Sequence, residues 1–461
     1  MGNARNLALA VAAVFLITTP AMAQDAAPPA GFSLMDALGV AYETNPQLQA
    51  AQAGLRATDE TVAQANANWR PSIAATGTYG FEKYKISGYT NWIGTHPLEG
   101  QLAVQQNIFR GGRTYAEIGQ AKAQVRAARA QLIAAEQTVL LGAATAYMDV
   151  VRDEAIVKLR QHNVDVLRRQ RDSTALEFKV GSLTRTDVAQ AEARFAGAQA
   201  SLTAARGQLA ISRANFMQVI GRPAETLENN PALPGAVPTN EDATLNFALK
   251  GNPAILEAQE QERATSYAVD DAIGALLPTV TVQGGYSYSQ QSYSSSLGAG
   301  QVTHGLGILG QVTVPIYQGG GEEATVRQAK QLHAQAALNV NVADRQVREA
   351  VSAAWNTYQA ALAGIESNQA TEKADEIAFT GVSKEQQVGG RTILDVLNAQ
   401  QELLNAQVAV VTSQRDATVA AFQVLAAAGT LTAKSLGLKV KLYDPLEHYE
   451  NNAASWFGFG D

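Results

Sequence analysis

The chain carries two copies of one unit, so whatever architecture the first half adopts the second half must repeat. Asn45-Pro46 recurs as Asn252-Pro253, and Pro71 recurs as Pro278, both at an offset of 207. Between 45–71 and 252–278 there are ten identities in 27 aligned positions. Further along the offset becomes 208, where Ile108 to Gly112 matches Ile316 to Gly320. Gly181, Thr184, Asp187 and Val188 return as Gly389, Thr392, Asp395 and Val396. Self-similarity at a fixed period marks a duplicated structural unit, and each unit reads helix, strand, loop, strand, long helix, turn, helix.

Each unit holds two segments that alternate at period two. In 279–289, Val280, Val282, Gly284, Tyr286 and Tyr288 oppose Thr279, Thr281, Gln283, Ser287 and Ser289. In 72–82, Ile73, Ala75, Gly77, Tyr79 and Phe81 oppose Ser72, Thr76, Thr78 and Glu82. Leu102, Val104 and Ile108, then Ile308, Val312, Val314 and Ile316, continue the pattern. Segments of about ten residues with one apolar and one polar face are the signature of transmembrane barrel strands. The intervening segments 85–100 and 290–306, rich in Ser, Gly, Tyr and Asn, read as surface loops. Pro71 and Pro278 stop the incoming helices, and Gly111-Gly112 and Gly319-Gly320 free the backbone for the strand-to-helix turn.

The helical segments keep a seven-residue rhythm of large and small side chains. Ile118, Val125, Leu132 and Val139 are trailed by Ala121, Ala128, Ala135 and Gly142, and the other three long segments repeat the scheme. Sustained heptads with small partners predict coiled-coil packing at close range. As one helix, 113–180 would span roughly 100 Å at about 1.5 Å per residue, longer than any ordinary globular core.

How such a chain meets a membrane follows from what is missing. Arg5, the apolar run Leu7 to Ile17 and Ala21-Met22-Ala23 make a secretory signal peptide over 1–23; a retained N-terminal anchor is the alternative. No second apolar run approaches the length of a spanning helix, so any membrane crossing must use a closed β-barrel. The absence of cysteine removes disulfides and thiolate metal sites, and a net charge of −7 gives no reason to expect nucleic acid. Four strands cannot close a barrel, for which eight is the usual minimum. Several copies must therefore share one; two would give eight strands and three would give twelve.

With these residues in view, the chain resembles the TolC family of outer-membrane efflux and secretion channels over essentially 33–458. The resemblance rests on the two hairpin tips, Val180 to Val188 and Val388 to Leu397, on the duplicated Asn-Pro segments and on the Gly-Gly pairs. The tail Tyr443-Asp444-Pro445, His448-Tyr449 and Trp456-Phe457-Gly458 is similar to the branch associated with type I secretion. The resemblance implies a mixed α and β membrane channel: a homotrimer with a twelve-stranded barrel in outer-membrane lipid, continued by a coiled-coil helical barrel through the periplasm. It also implies a periplasmic adaptor (a membrane fusion protein) and an inner-membrane ABC or proton-driven transporter as partners, with no cofactor in the channel. Its units would be a first repeat, 24–221, with barrel hairpin 71–109 and helical hairpin 113–220, and an equatorial linker, 222–243. A second repeat, 244–428, would hold barrel hairpin 278–317 and helical hairpin 322–428, before an equatorial tail, 429–461; linker and tail would form a mixed α/β belt.

At the periplasmic tips, which turn at Gly181 and Gly389, the family latch maps onto Thr186 and Asp187 bonding Arg391. A selectivity ring maps onto Asp395. Two positions depart from the family pattern: a latch tyrosine is Gln386 here, and a second acidic ring position is Asn398. The plainer reading of Thr184…Asp187 and Thr392…Asp395 is helix capping after a glycine. Arg391 stands apart, because its counterpart in the first tip is Leu183, and a latch partner need occur only once. The five histidines never cluster at ligand spacing, His333 falls at a heptad core position, and no catalytic triad or carboxylate pair stands out. Trp69, Phe109 and Tyr317 sit at strand ends, where interfacial aromatics and ordinary packing both fit. Small-molecule efflux by the same fold and, from another class, a secreted coiled-coil structural protein are the rival functions.

Overall fold

The computed structural model describes residues 32–85, 87–88, 92–229, 231, 237–293, 301–456 and 458. The signal-peptide reading, parts of both loops, part of the equatorial linker and Phe457 lie outside the described residues.

Each repeat opens with two helices jointed at an Asn-Pro pair. In the first, α1 (Leu34–Thr44) meets α2 (Pro46–Ala67) at Asn45; in the second, α5 (Glu241–Gly251) meets α6 (Pro253–Gly274) at Asn252. Each Asn caps the following helix, accepting from the N–H of Gln47 or Ala254, and Pro occupies the first helical position, where its missing N–H costs nothing. The amide nitrogens then reach far along the chain: Asn45 Nδ2 donates to Val219 O and Asn252 Nδ2 to Ala427 O, both at 2.9 Å. The repeated Asn-Pro therefore ties the start of each unit to the end of its return helix.

Neither proline stops a helix directly. α2 and α6 end at Ala67 and Gly274, and Pro71 and Pro278 stand immediately before the first residues of β1 (Ser72–Tyr79) and β4 (Thr279–Tyr293). The remaining strands are β2 (Glu82–Tyr84), β3 (Ile93–Arg110) and β5 (Gln301–Thr313). They form one antiparallel sheet in the order β1-β3-β4-β5, with β2 prolonging β1 along β3. The loops are shorter than the sequence suggests, since β3 begins at Ile93 and β4 and β5 run into 290–306. Val314 and Ile316 lie beyond the end of β5, so the alternation continues past the paired segment.

The register places the two faces as the alternation predicts up to Asn107, where a bulge shifts the register and sets Phe109, not Ile108, opposite Val280. Directly paired residues point to one side, giving the rows Ile73–Val104–Gly284–Ile308, Ala75–Leu102–Tyr286–Leu306 and Gly77–Gly100–Tyr288–His304. The opposite rows are Ser72–Gln105–Gln283–Leu309, Ala74–Ala103–Gly285–Gly307, Thr76–Gln101–Ser287–Gly305 and Thr78–Glu99–Ser289–Thr303. Leu309 is the exception on this polar or small face. In the single chain Leu306 is 86% and Ile308 84% exposed, as lipid-facing side chains of a barrel segment must be.

Two glycine pairs turn strand into helix. Gly111 and Gly112 have φ of 64° and 82°, Gly319 and Gly320 of 71° and 81°, a region open to glycine and costly for other residues. From there α3 (Arg113–Lys179) and α7 (Gly321–Gln387) each run 67 residues, about 100 Å at 1.5 Å per residue. The return helices are α4 (Arg185–Ile220) and α8 (Ile393–Ala427).

The main apolar core lies where α1, α3, α4 and α8 meet the linker and tail, around Leu38, Tyr147, Phe216, Phe422 and Leu431. The Tyr147 hydroxyl donates to Phe32 O at 2.7 Å and accepts from the Glu228 N–H at 2.9 Å, and burial pushes its pKa up to about 12. Among the described residues the belt's β content is one bridge, Phe32 to Leu227. The tail contributes turns and the short α9 (Glu447–Asn452).

Candidate functional site

The two helical tips are built alike. α3 and α7 end in a left-handed glycine, Gly181 at φ 84° and Gly389 at φ 80°. The following N–H reaches back to Glu177 O at 3.0 Å in the first tip and to Glu385 O at 2.8 Å in the second, the Schellman closure. Each return helix then starts with a complete capping box. Asp187 accepts from the Thr184 N–H at 2.9 Å and its hydroxyl at 2.7 Å, and Asp395 does the same with Thr392 at identical distances. The Thr hydroxyls and then the backbone amides hold both carboxyls below their ordinary pKa, with Arg391 adding to the effect on Asp395.

The tips differ in where the arginine sits: the first has Leu183 before its cap and Arg185 after it, the second Arg391 before and Ile393 after. Arg391 Nε donates to Glu385 Oε2 at 2.9 Å across its own turn. Among the described residues no bond within the chain joins Arg391 to Thr186 or Asp187. Gln386 closes the end of α7 through its carbonyl, which accepts from the Gly389 N–H. Asn398, one turn into α8, is engaged: its Oδ1 accepts from Arg194 Nη2 of α4 at 2.9 Å.

That bond belongs to a ladder of polar contacts joining the two hairpins. Gln400 and Asn163, both buried, approach at 3.4 Å beside a cavity of about 220 Å³ lined by Arg160, Arg194 and Leu397. Farther from the tips, Arg415 of α8 donates to Asp149 of α3 at 2.9 Å, and Asp149 also pairs with Arg152 at 3.2 Å. Glu385, Arg194, Asn163 and Arg415 carry no local motif, and heptad spacing alone does not reveal their pairings. Among the described residues no three His, Asp or Glu side chains converge as metal ligands, and no helix is long and apolar enough to cross a membrane.

Residues 37–222 and 244–430 match the outer membrane efflux protein family, one match per repeat. The chain is 37% identical to the outer membrane efflux protein BepC of Brucella suis, over 92% of this chain and 91% of that one. It is 26% identical to the outer membrane protein TolC of Escherichia coli, over 92% and 87%. Its fold superposes on the crystal structure of CusC with a TM-score of 0.75 at 15% identity, over 86% of this chain and 91% of that one. The sheet is thus one chain's share of a barrel in the outer membrane, and the long helices its share of a tunnel extending into the periplasm. Channels of this kind are homotrimers that work with adaptor proteins and inner-membrane transporters. On the two matched repeats, the duplicated hairpins and the shared fold, this chain belongs to the outer membrane efflux protein family, the TolC-like channels.

Proposed function

We propose that three copies of this chain form the outlet of a type I protein secretion system, fed through a periplasmic adaptor by an inner-membrane pump. The observation that carries the reading is the tail from Tyr443 to Trp456, whose motif is similar to the secretion-associated branch. It is built into the fold at the base of the barrel: Arg70 donates to Ala454 O at 3.1 Å, and its guanidinium stacks on Trp456 at 4.8 Å. Small-molecule efflux is the second reading, favoured by the description of the 37% identical relative as an efflux protein. Deleting the gene separates the two. Loss of discrete proteins from the culture medium with unchanged drug susceptibility supports secretion; the reverse pattern supports efflux.

For the gate, the proposal is an exchange of partners at the tips. In the closed trimer Arg391 leaves Glu385 for Thr186 and Asp187 of the adjacent hairpin, where a guanidinium gives charge-assisted bonds. Three copies of Asp395 supply the ring charge, and Asn398 in place of an acid leaves that ring with half the charge of a doubly acidic one. Arg391→Ser then raises single-channel conductance in planar bilayers, and Asp395→Asn reduces cation preference. Wild-type conductance and selectivity in both variants would reduce these residues to caps.

A further inference from the structure

The C-terminal tail is held by an arrangement that none of the export chemistry uses. His448, on α9, lies between two carboxylates of α2. Its Nδ1 is 3.4 Å from Asp59 Oδ2 and its Nε2 is 3.6 Å from Glu60 Oε1. Asp59 is 2% exposed, and among the described residues neither of its oxygens, nor His448 Nδ1, has a hydrogen-bond partner. Arg129 of α3 closes the other side, with its guanidinium over the Tyr449 ring at 5.1 Å. Val62, Ala121 and Val125 form the small apolar patch on which Tyr449 and Ala453 rest. Arg56, Asp444 and Glu447 line the adjoining open groove together with His448. Beyond α9 the chain continues to Ala453, whose carbonyl accepts from Asn66 Nδ2 at 2.9 Å, and to the contacts with Arg70.

An imidazole with a carboxylate oxygen facing each ring nitrogen suits only one of its protonation states. The neutral ring has one N–H and one lone pair, so it can serve one carboxylate and must set its lone pair against the other. The imidazolium has two donors and opposite charge, and serves both. Burial also holds the Asp59 carboxyl above its ordinary range, against the opposing pull of His448 and Arg129. The imidazolium is the form that serves both carboxylates, so acidification tightens the docked tail and a rise in pH loosens it.

We propose that His448, Asp59 and Glu60 form a proton-operated clasp that fixes the C-terminal tail to α2 in mildly acidic surroundings and releases it as the pH rises. The tail so controlled reaches from the equatorial belt to Arg70, one residue before the Pro71–Ser72 entry into the barrel. Release therefore loosens the collar between tunnel and barrel and opens the Arg56–Tyr443 groove.

The absence of cysteine allows a direct test on the full-length trimer in detergent. Asn451→Cys, on the exposed side of α9, accepts a single spin label whose mobility is read by electron paramagnetic resonance from pH 5.5 to 8.5. An immobile label at pH 5.5 that becomes mobile toward pH 8.5 is expected. His448→Gln should be mobile throughout, and Glu60→Gln, a surface change that leaves the core intact, should lower the midpoint. The same spectrum at every pH in the otherwise native chain overturns the clasp. So does an unchanged pH transition in His448→Gln.

Discussion

The two long helices have the same length and the same heptad plan, yet the single chain treats them differently. α3 buries side chains along most of its course, from Thr114 to Thr174, whereas α7 buries Ala336, Ala343, Val347 and Val351. Leu332, Leu338 and Val342 are half or more exposed on α7. The glycine turns differ in the same way. A Cβ on Gly111 would lie 2.2 Å from Gly274 O, while the equivalent position at Gly319 meets open space. In the sheet β3 of the first repeat pairs with β4 of the second, but β5 and β1 each keep one unpaired edge. All three contrasts have one explanation. Within the chain the first repeat is packed against the second; the free side of the second repeat is shaped for the first repeat of another copy. Such a head-to-tail contact closes into a ring, and it removes the edges that lipid does not tolerate.

The largest effect that could break this comparison lies in the barrel. Leu306→Arg places a charge on the apolar face near the middle of the strands, at a cost of roughly 2–4 kcal/mol per chain. Val312→Arg, next to the last residue of β5, should cost less because it nears the interface, and Gln311→Arg on the polar face should be mild. Heat-resistant trimer on gels reports the order; equal damage from all three contradicts the face assignment.

Next in size is the exposed face of α7. Leu338→Glu should destabilise the trimer by about 1.5–3 kcal/mol per chain, the value of burying one large apolar side chain, while leaving single-chain helicity intact. Size-exclusion chromatography together with circular dichroism separates the two outcomes. At the joints, Asn45→Ala and Asn252→Ala should each cost about 1 kcal/mol as lost caps, with a further loss from the freed Val219 or Ala427 carbonyl, read as lowered Tm. Near-equal shifts are expected, because both sites make the same pair of bonds.

The smallest effects belong to the tips. Thr184→Ala and Thr392→Ala should fray α4 and α8 alike, read as faster amide exchange in their first turns. Both Asp carboxyls are depressed, so the caps contribute fully above the ordinary carboxylate range and lose their contribution as pH falls through the depressed values. Exchange at the tips should therefore be acid-sensitive in the native chain and less so in the Thr variants, which lose the hydroxyl but keep the backbone N–H bond to the Asp.

Much of this architecture was legible in the residues. Alternation gave the sheet faces because barrel strands have one lipid side, and the Gly-Gly pairs gave the turns because a left-handed backbone admits few alternatives. Capping at both tips follows from T-x-x-D after glycine. Other features were not local. Nothing around Asn45 points to Val219, 174 residues away, and nothing around Asn398 points to Arg194. The start of β3 was hidden because Thr95, His96 and Pro97 look like loop residues, although β3 pairs through them to Tyr293 and Ser292. Arg391 was legible as the odd residue of its tip, but its partner in the isolated chain, Glu385, lies in the preceding helix and not in the opposite hairpin.

The most direct test is a cross-link between copies. The duplication maps Gly274 onto Ala67 and Arg113 onto Gly321, and the first pair is in close contact within the chain, with a Cβ on Gly274 only 2.5 Å from Arg113 Cγ. Ala67 and Gly321 are both exposed in the single chain. In a background without cysteine, Ala67→Cys with Gly321→Cys should form disulfides between chains on oxidation, giving a covalent trimer on a non-reducing gel. The single variants should give none. A double variant that stays monomeric on the gel while remaining folded in detergent would contradict the ring built repeat to repeat.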